Sequence, residues 1–265
     1  MYQTTYVRAG SLAEAQNLLR DNPEAKLISG GQTLVPTLRQ RLARPSHLVD
    51  IAHLEELRGI SLEGDRVAIG AITTHAEVAA SDLVRQKLPG LADLAGLIGD
   101  PPVRHLGTIG GSIANSDPAA DYPAGVLALN ATVQTSKRAI RADDFFTGLF
   151  ETALDASEIV VRVSFPVPRR SAYEKFHQSA SRFALVGVFV AILGDGSVRV
   201  AVTGAGPSVF RATSIEAALA RNFTTEAAES APISADGLNS DIHGSAEFRA
   251  HLVPVLAARA VARAR

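Results

Sequence analysis

Two adjacent-glycine segments carry most of the chemical information in this chain: Ile28, Ser29, Gly30, Gly31, Gln32, Thr33, Leu34 and Thr108, Ile109, Gly110, Gly111, Ser112. Consecutive glycines permit positive φ and close backbone approach, so several N–H groups can converge on one anion. A helix is predicted directly after the first pair, which adds the positive end of its dipole to such a site. Two segments of this kind, facing each other, suit the grip of a single pyrophosphate from both sides. Each pair alone also reads as an ordinary turn. Asp117 and Asp121 close the second segment as candidate paired acids. Asp117-Pro118 has, equally, the form of a helix cap with proline at the first helical position. His75 lies within a helix-start pattern, where a packed or exposed structural histidine is the default reading.

Other chemistries find no footing. The chain has no Gly-x-x-x-x-Gly-Lys-Ser/Thr phosphate loop and no Gly-x-Ser-x-Gly nucleophile turn. The run from Gly204 to Val209 begins like a dinucleotide fingerprint but lacks its strand–helix context. With no cysteine among 265 residues, disulfides, thiolate nucleophiles and iron–sulfur clusters built from this chain are excluded. The seven histidines are scattered without ligand spacing, so no metal site is expected. A formal net charge of -1 argues against a nucleic-acid partner. Neither a membrane-length apolar run nor a signal pattern is evident, and a cytoplasmic protein is the expectation.

The elements that must position these residues can be read in outline. Ser11 and Glu14 have capping-box spacing ahead of a helix stopped at Asn22-Pro23. Residues 25–29 form a strand, 33–43 a helix with Pro36 in its first turn, and 47–51 a second strand. A hairpin turning at Glu63-Gly64-Asp65 follows, then a second capping box at Thr74 and Glu77 and a helical region running to about Gly99, interrupted near Pro89-Gly90. Asp100-Pro101-Pro102 is expected to be extended or a turn. Residues 122–130 read as a helix, 131–136 and 158–166 as strands. The segment Pro166–Arg170 is the best domain boundary. Beyond it, two long apolar strands meet at Gly194-Asp195-Gly196, and helices complete the chain.

Taken together, "SGGQTLVP", "IGDPPVRHLGTIGGSIANSDPAADYP", "EIVVRVSFP", "SASRFALVGVFVA" and "SDIHGSAEFRAHL" resemble the FAD-binding medium subunit of molybdenum hydroxylases, the xanthine dehydrogenase and carbon monoxide dehydrogenase family. The resemblance is collinear over essentially the whole chain. It implies an α+β fold: a two-subdomain FAD-binding domain of the vanillyl-alcohol-oxidase (PCMH) type, residues 1–55 and 56–167, plus a C-terminal sheet-and-helix domain, residues 168–265. It further implies that residues 28–34 and 108–112 cradle the FAD phosphates. Asp121 would bond the flavin's polyol, Ile98 and Val160 would pack on the cofactor, and His177 would be a basic group near the flavin. His75 and Asn115 are further candidates. Ser112 departs from the asparagine of many relatives, and His177 stands where some carry lysine.

The implied function is electron transfer from the [2Fe-2S] clusters of a small subunit, fed by a large molybdopterin subunit, through this FAD to NAD, a quinone or dioxygen. A dimer of heterotrimers is the expected assembly, and a partner's export signal would make it periplasmic. A stand-alone flavin oxidoreductase and a cofactor-less assembly subunit are the alternatives.

Overall fold

The computed structural model describes residues 2–265. Near the N-terminus, β1 (Thr5–Arg8), α1 (Leu12–Asp21), β2 (Lys26–Ile28), α2 (Leu34–Arg39) and β3 (His47–Asp50) form a small α/β layer. Its sheet has the order β1-β3-β2, all parallel. Sequence reading missed β1. The α1 start carries half of the expected capping box: Ser11 accepts the Glu14 N–H, but the Glu14 carboxylate reaches Gly10 N–H at 2.7 Å.

Then come β4 (Ile60–Glu63) and β5 (Arg66–Gly70), joined through Gly64 at φ +64. Five helices follow: α3 (His75–Ala80), α4 (Asp82–Lys87), α5 (Pro89–Gly96), α6 (Pro101–Leu106) and α7 (Ile109–Asn115). The region before Gly99 therefore breaks twice, because Ser81 ends α3 while capping α4, and Leu88 precedes the proline that starts α5. The Asp100-Pro101-Pro102 run starts a helix instead of an extended segment. Asp100 accepts from Val103 N–H at 3.0 Å, and prolines in the first turn forfeit no intrahelical bond.

The chain continues through α8 (Tyr122–Ala128), β6 (Thr132–Thr135), β7 (Ala139–Arg141), the short α9 (Ala142–Phe145), the small ribbon of β8 (Phe146–Gly148) and β9 (Glu151–Thr152), and β10 (Val160–Pro166). These complete an antiparallel sheet of order β4-β5-β10-β6-β7. The last part holds β11 (Arg170–His177), β12 (Ala184–Ile192), β13 (Val198–Thr203), β14 (Phe210–Arg211), α10 (Thr213–Arg221), α11 (Thr225–Glu229) and α12 (Ala246–Arg263). Its sheet runs β11-β12-β13-β14, antiparallel throughout, and α12 packs on it. Sequence reading did not recognise β11, whose polar residues hide the alternation.

Three buried clusters hold the molecule together. One lies under the first layer and borrows Ile72 and Ile159 from the second. Another lies between α12 and the last sheet. The largest fills the middle region and also takes Tyr173, Phe189, Ala191, Leu193 and Ala201 from the C-terminal part. No helix among the described residues is long and apolar enough to cross a membrane.

Candidate functional site

A cleft of about 580 Å³ opens between the β2–α2 loop, α7 and the β11–β12 loop. That is a size suited to a small molecule. Of the residues singled out in the sequence, Ile28, Ser29, Gly30, Gly31, Gln32, Thr33, Leu34, His75, Ile98, Thr108, Gly110, Gly111, Ser112, Asn115, Asp121 and Val160 all line it. Two do not. Ile109 is fully buried and points into the central core, as its place opposite the cleft face of α7 requires. His177 is exposed at the end of β11, where the β11–β12 register shifts, and lies outside the cleft wall.

The two glycine pairs are built differently. Gly31 sits at φ +66, a left-handed conformation that glycine adopts without strain. A Cβ on Gly30 would overlap the Leu106 carbonyl, so the β2–α2 loop can lie against the end of α6 only with glycine there. The amides of Gly30, Gly31, Gln32, Thr33 and Leu34 find no acceptor among the described residues. Gly110 and Gly111, by contrast, are not a turn; they form the first turn of α7, capped by Thr108. Their amides are committed: Ile109 N–H to Thr73 O at 3.1 Å, Gly110 N–H to Ala71 O at 2.8 Å, and Gly111 N–H to Thr108 Oγ1 at 3.2 Å. The expectation that amides from both pairs converge on one anion is corrected accordingly. A Cβ on Gly110 would come within 2.6 Å of Ala71, whereas one on Gly111 would meet Thr108 Oγ1 at 2.9 Å and Ser29 Oγ at 3.2 Å. Gly110 thus serves the packing of α7 on β5, and Gly111 faces the opposite loop. Ser29 and Thr108 hydroxyls bond across the gap at 3.0 Å.

His75 forms the floor behind Thr108. Its helix start is fixed by the Thr74–Glu77 capping box, and its own N–H donates to Gly107 O at 2.9 Å. Burial, aided by the Arg104 guanidinium, pushes the ring's pKa down to about 4, so it is neutral at pH 7. Its Nδ1 and the Tyr122 hydroxyl are buried without partners among the described residues, the two rings lying 5.3 Å apart.

Asp121 is buried at the start of α8. It accepts from Tyr173 Oη at 2.6 Å and pairs with Lys175 Nζ at 2.9 Å. Burial pushes its carboxyl up, opposed by Lys175 and Tyr173. Lys175, which the sequence reading did not single out, pairs with Asp121 behind the cleft wall and is not itself part of the lining. At another part of the wall stands Glu158, also missed. Burial pushes it up, but hydrogen bonds from Arg138, Thr135 and the Asp155 amide prevail and hold it at about 2. A weak signal existed for Glu158, the charged residue that opens the apolar strand pattern of residues 158–166, and none for Lys175, whose strand was not recognised. Asp117 is no helix cap: it accepts the Ala119 N–H at 2.9 Å and shapes the turn between α7 and α8. Burial pushes its carboxyl up.

The profile described as the FAD binding domain in molybdopterin dehydrogenase matches residues 2–168, and that of the CO dehydrogenase flavoprotein C-terminal domain matches residues 171–264. The chain belongs to the FAD-binding medium subunits of the molybdenum hydroxylases. It is 35% identical to the carbon monoxide dehydrogenase medium chain of Hydrogenophaga pseudoflava, over 95% of this chain and 93% of that one. Against the nicotine 6-hydroxylase medium subunit of Paenarthrobacter nicotinovorans, identity is 36%, over 98% of this chain and 96% of that one. The structure superimposes on that of carbon monoxide dehydrogenase from Hydrogenophaga pseudoflava lacking the Mo-pyranopterin moiety with a TM-score of 0.90, at 36% identity, covering 98% and 96% of the two chains. FAD is the cofactor of this family's medium subunit. The cleft suits it: the unengaged amides of the first loop match a diphosphate, and the missing Cβ of Gly111 leaves the space between the loops clear.

Proposed function

We propose that this medium subunit passes electrons from the iron–sulfur clusters of a small partner subunit to a final acceptor, substrate being oxidised in a large molybdopterin subunit. The observation that carries this reading is the cleft itself, with a row of amides from Gly30 to Leu34 unpaired among the described residues and no cysteine in the chain. Cluster ligands must then come from another polypeptide. Bound FAD supplies a carrier that takes or gives electrons singly or in pairs.

The chain's own residues hold and orient it. The amides of residues 30–34 bind the diphosphate, with Ser29, Thr108 and Ser112 bordering it. Asp121 offers its remaining lone pairs to the polyol, Ile98 and Val160 exclude water from the rings, and neutral His75 keeps the floor uncharged. Glu158 adds a fixed negative charge to the wall.

The full chain, purified with its partners, is expected to carry FAD at about one to one, as a single preformed cleft requires. With partners and substrate present the flavin should bleach; with the chain alone it should not. Gly111→Leu is expected to leave the assembly intact while removing flavin and electron transfer. Bleaching of the isolated chain by a small substrate would instead establish a self-contained flavoenzyme.

A further inference from the structure

Lys175 is a lysine with nothing left to give. Its side chain is 3% exposed, and it comes from β11, in the C-terminal part of the chain. The ammonium group has three hydrogens, and the structure supplies three acceptor groups: Leu97 O at 2.8 Å, the Asp121 carboxylate at 2.9 Å, and Arg182 O at 3.0 Å. Each acceptor sits on a different stretch of the cleft wall. Leu97 precedes Ile98 and Gly99, Asp121 opens α8, and Arg182 lies in the lining segment Ser181–Phe183. Arg182 itself has φ 61, and its loop is closed by Arg182 N–H to Gln178 O and Gln178 N–H to Phe183 O, both at 2.9 Å. Tyr173, two residues earlier on the same face of β11, donates its hydroxyl to Asp121 Oδ1, the oxygen nearest Lys175 as well.

We infer that Lys175 is a positioning residue that fixes three separate stretches of the cleft wall and makes no hydrogen bond to the ligand. This rests on the cleft being the FAD site. Two physical consequences follow. The positive charge of Lys175 is matched by Asp121, so the pair adds no net attraction for the cofactor's phosphates. The wall is also held before the ligand arrives, so binding does not have to order the Ser181–Phe183 loop, and affinity gains from that preorganisation.

The test uses the full-length chain, with FAD as titrant and trypsin as probe of the Arg182–Phe183 bond. Lys175→Met should weaken FAD binding about tenfold, the scale of ordering one short loop, and should speed cleavage after Arg182 in the FAD-free chain. Lys175→Arg, which keeps the charge but replaces a compact ammonium by a planar fork, should fall between Met and wild type on both measures. Weakened binding with wild-type cleavage in the FAD-free chain would mean that Lys175 bonds the cofactor directly, and would overturn the inference. Unchanged values on both measures would overturn it as well. If Lys175→Met does not fold, Lys175→Arg decides by the same two readings. Should the wild-type chain itself not bind FAD, the flavin reading fails, while the cleavage comparison still reports on the wall.

Discussion

At Gly30-Gly31 the backbone leaves a run of amides without acceptors among the described residues; at Gly110-Gly111 every amide of the first helical turn is already spoken for. The same dipeptide thus does two jobs. In the first loop glycine gives a left-handed conformation and lets backbone touch backbone, so the amides stay open to a ligand. In α7 glycine lets a helix press on Ala71 and clears the cleft in front of Thr108. The first pair leaves its amides open, and the second serves helix packing. A Gly-Gly match in a sequence does not distinguish them, because the difference lies in what sits opposite.

The largest effect that would break this contrast is at Gly30. Gly30→Ala drives a methyl into the Leu106 carbonyl, and backbone cannot step aside as a side chain can. Overpacking of this kind costs about 3 kcal/mol. FAD affinity, measured by titration of refolded chain, should fall at least about a hundredfold. Wild-type affinity would show that the loop has room to move and that the contrast is overstated.

Acid probes the supporting side. His75 lies behind Thr108 and is held neutral, its pKa lowered to about 4 against about 6.5 in an unfolded chain. Between those values the unfolded chain binds the extra proton, so stability is complete above about pH 6.5 and is lost as pH falls toward 4. The loss approaches about 3 kcal/mol over the window. The groups facing the ring are Arg104 and Tyr122, and neither gains charge in this range. Denaturant midpoints of the FAD-free chain should drop from pH 7 to pH 5, and His75→Gln should flatten the slope. An equal slope in both proteins would remove His75 from the account.

The smallest effect sharpens the comparison most. Gly110→Ala should destabilise the chain by about 2 kcal/mol, by pushing α7 off Ala71. Because the amides there are already bonded within the protein, FAD affinity of the folded fraction should change less than about tenfold, that is, by under 1.4 kcal/mol. Loss of FAD binding with unaltered melting would reverse the roles assigned to the two pairs.

What could be read from sequence follows the range of the interactions. The Thr74–Glu77 capping box, the hairpin at Gly64 and the Ser11 cap of α1 rest on residues a few positions apart, and all were legible. The glycine segments were singled out for the same reason, and the structure brings residues of both to one cleft. Yet the helical state of Gly110 depends on Ala71, and the engagement of Asp121 depends on Lys175, 54 residues away. Asp100-Pro101-Pro102 was misread because proline signals a break in mid-helix and a start at the first turn. β11 escaped notice because Glu174 and Lys175 are spent on distant partners, not on solvent.

The central core reaches across the boundary at Pro166. Phe189 of β12 lies against Gly90 and Gly125, and a Cβ on Gly90 would also strike the backbone of Ala172. The seam between the two family segments should therefore be invisible to heat or denaturant. Melting should show one cooperative transition for residues on both sides of it, because neither segment can open without exposing the other's buried face. The halves match separate family profiles, and their shared core predicts that they unfold as one.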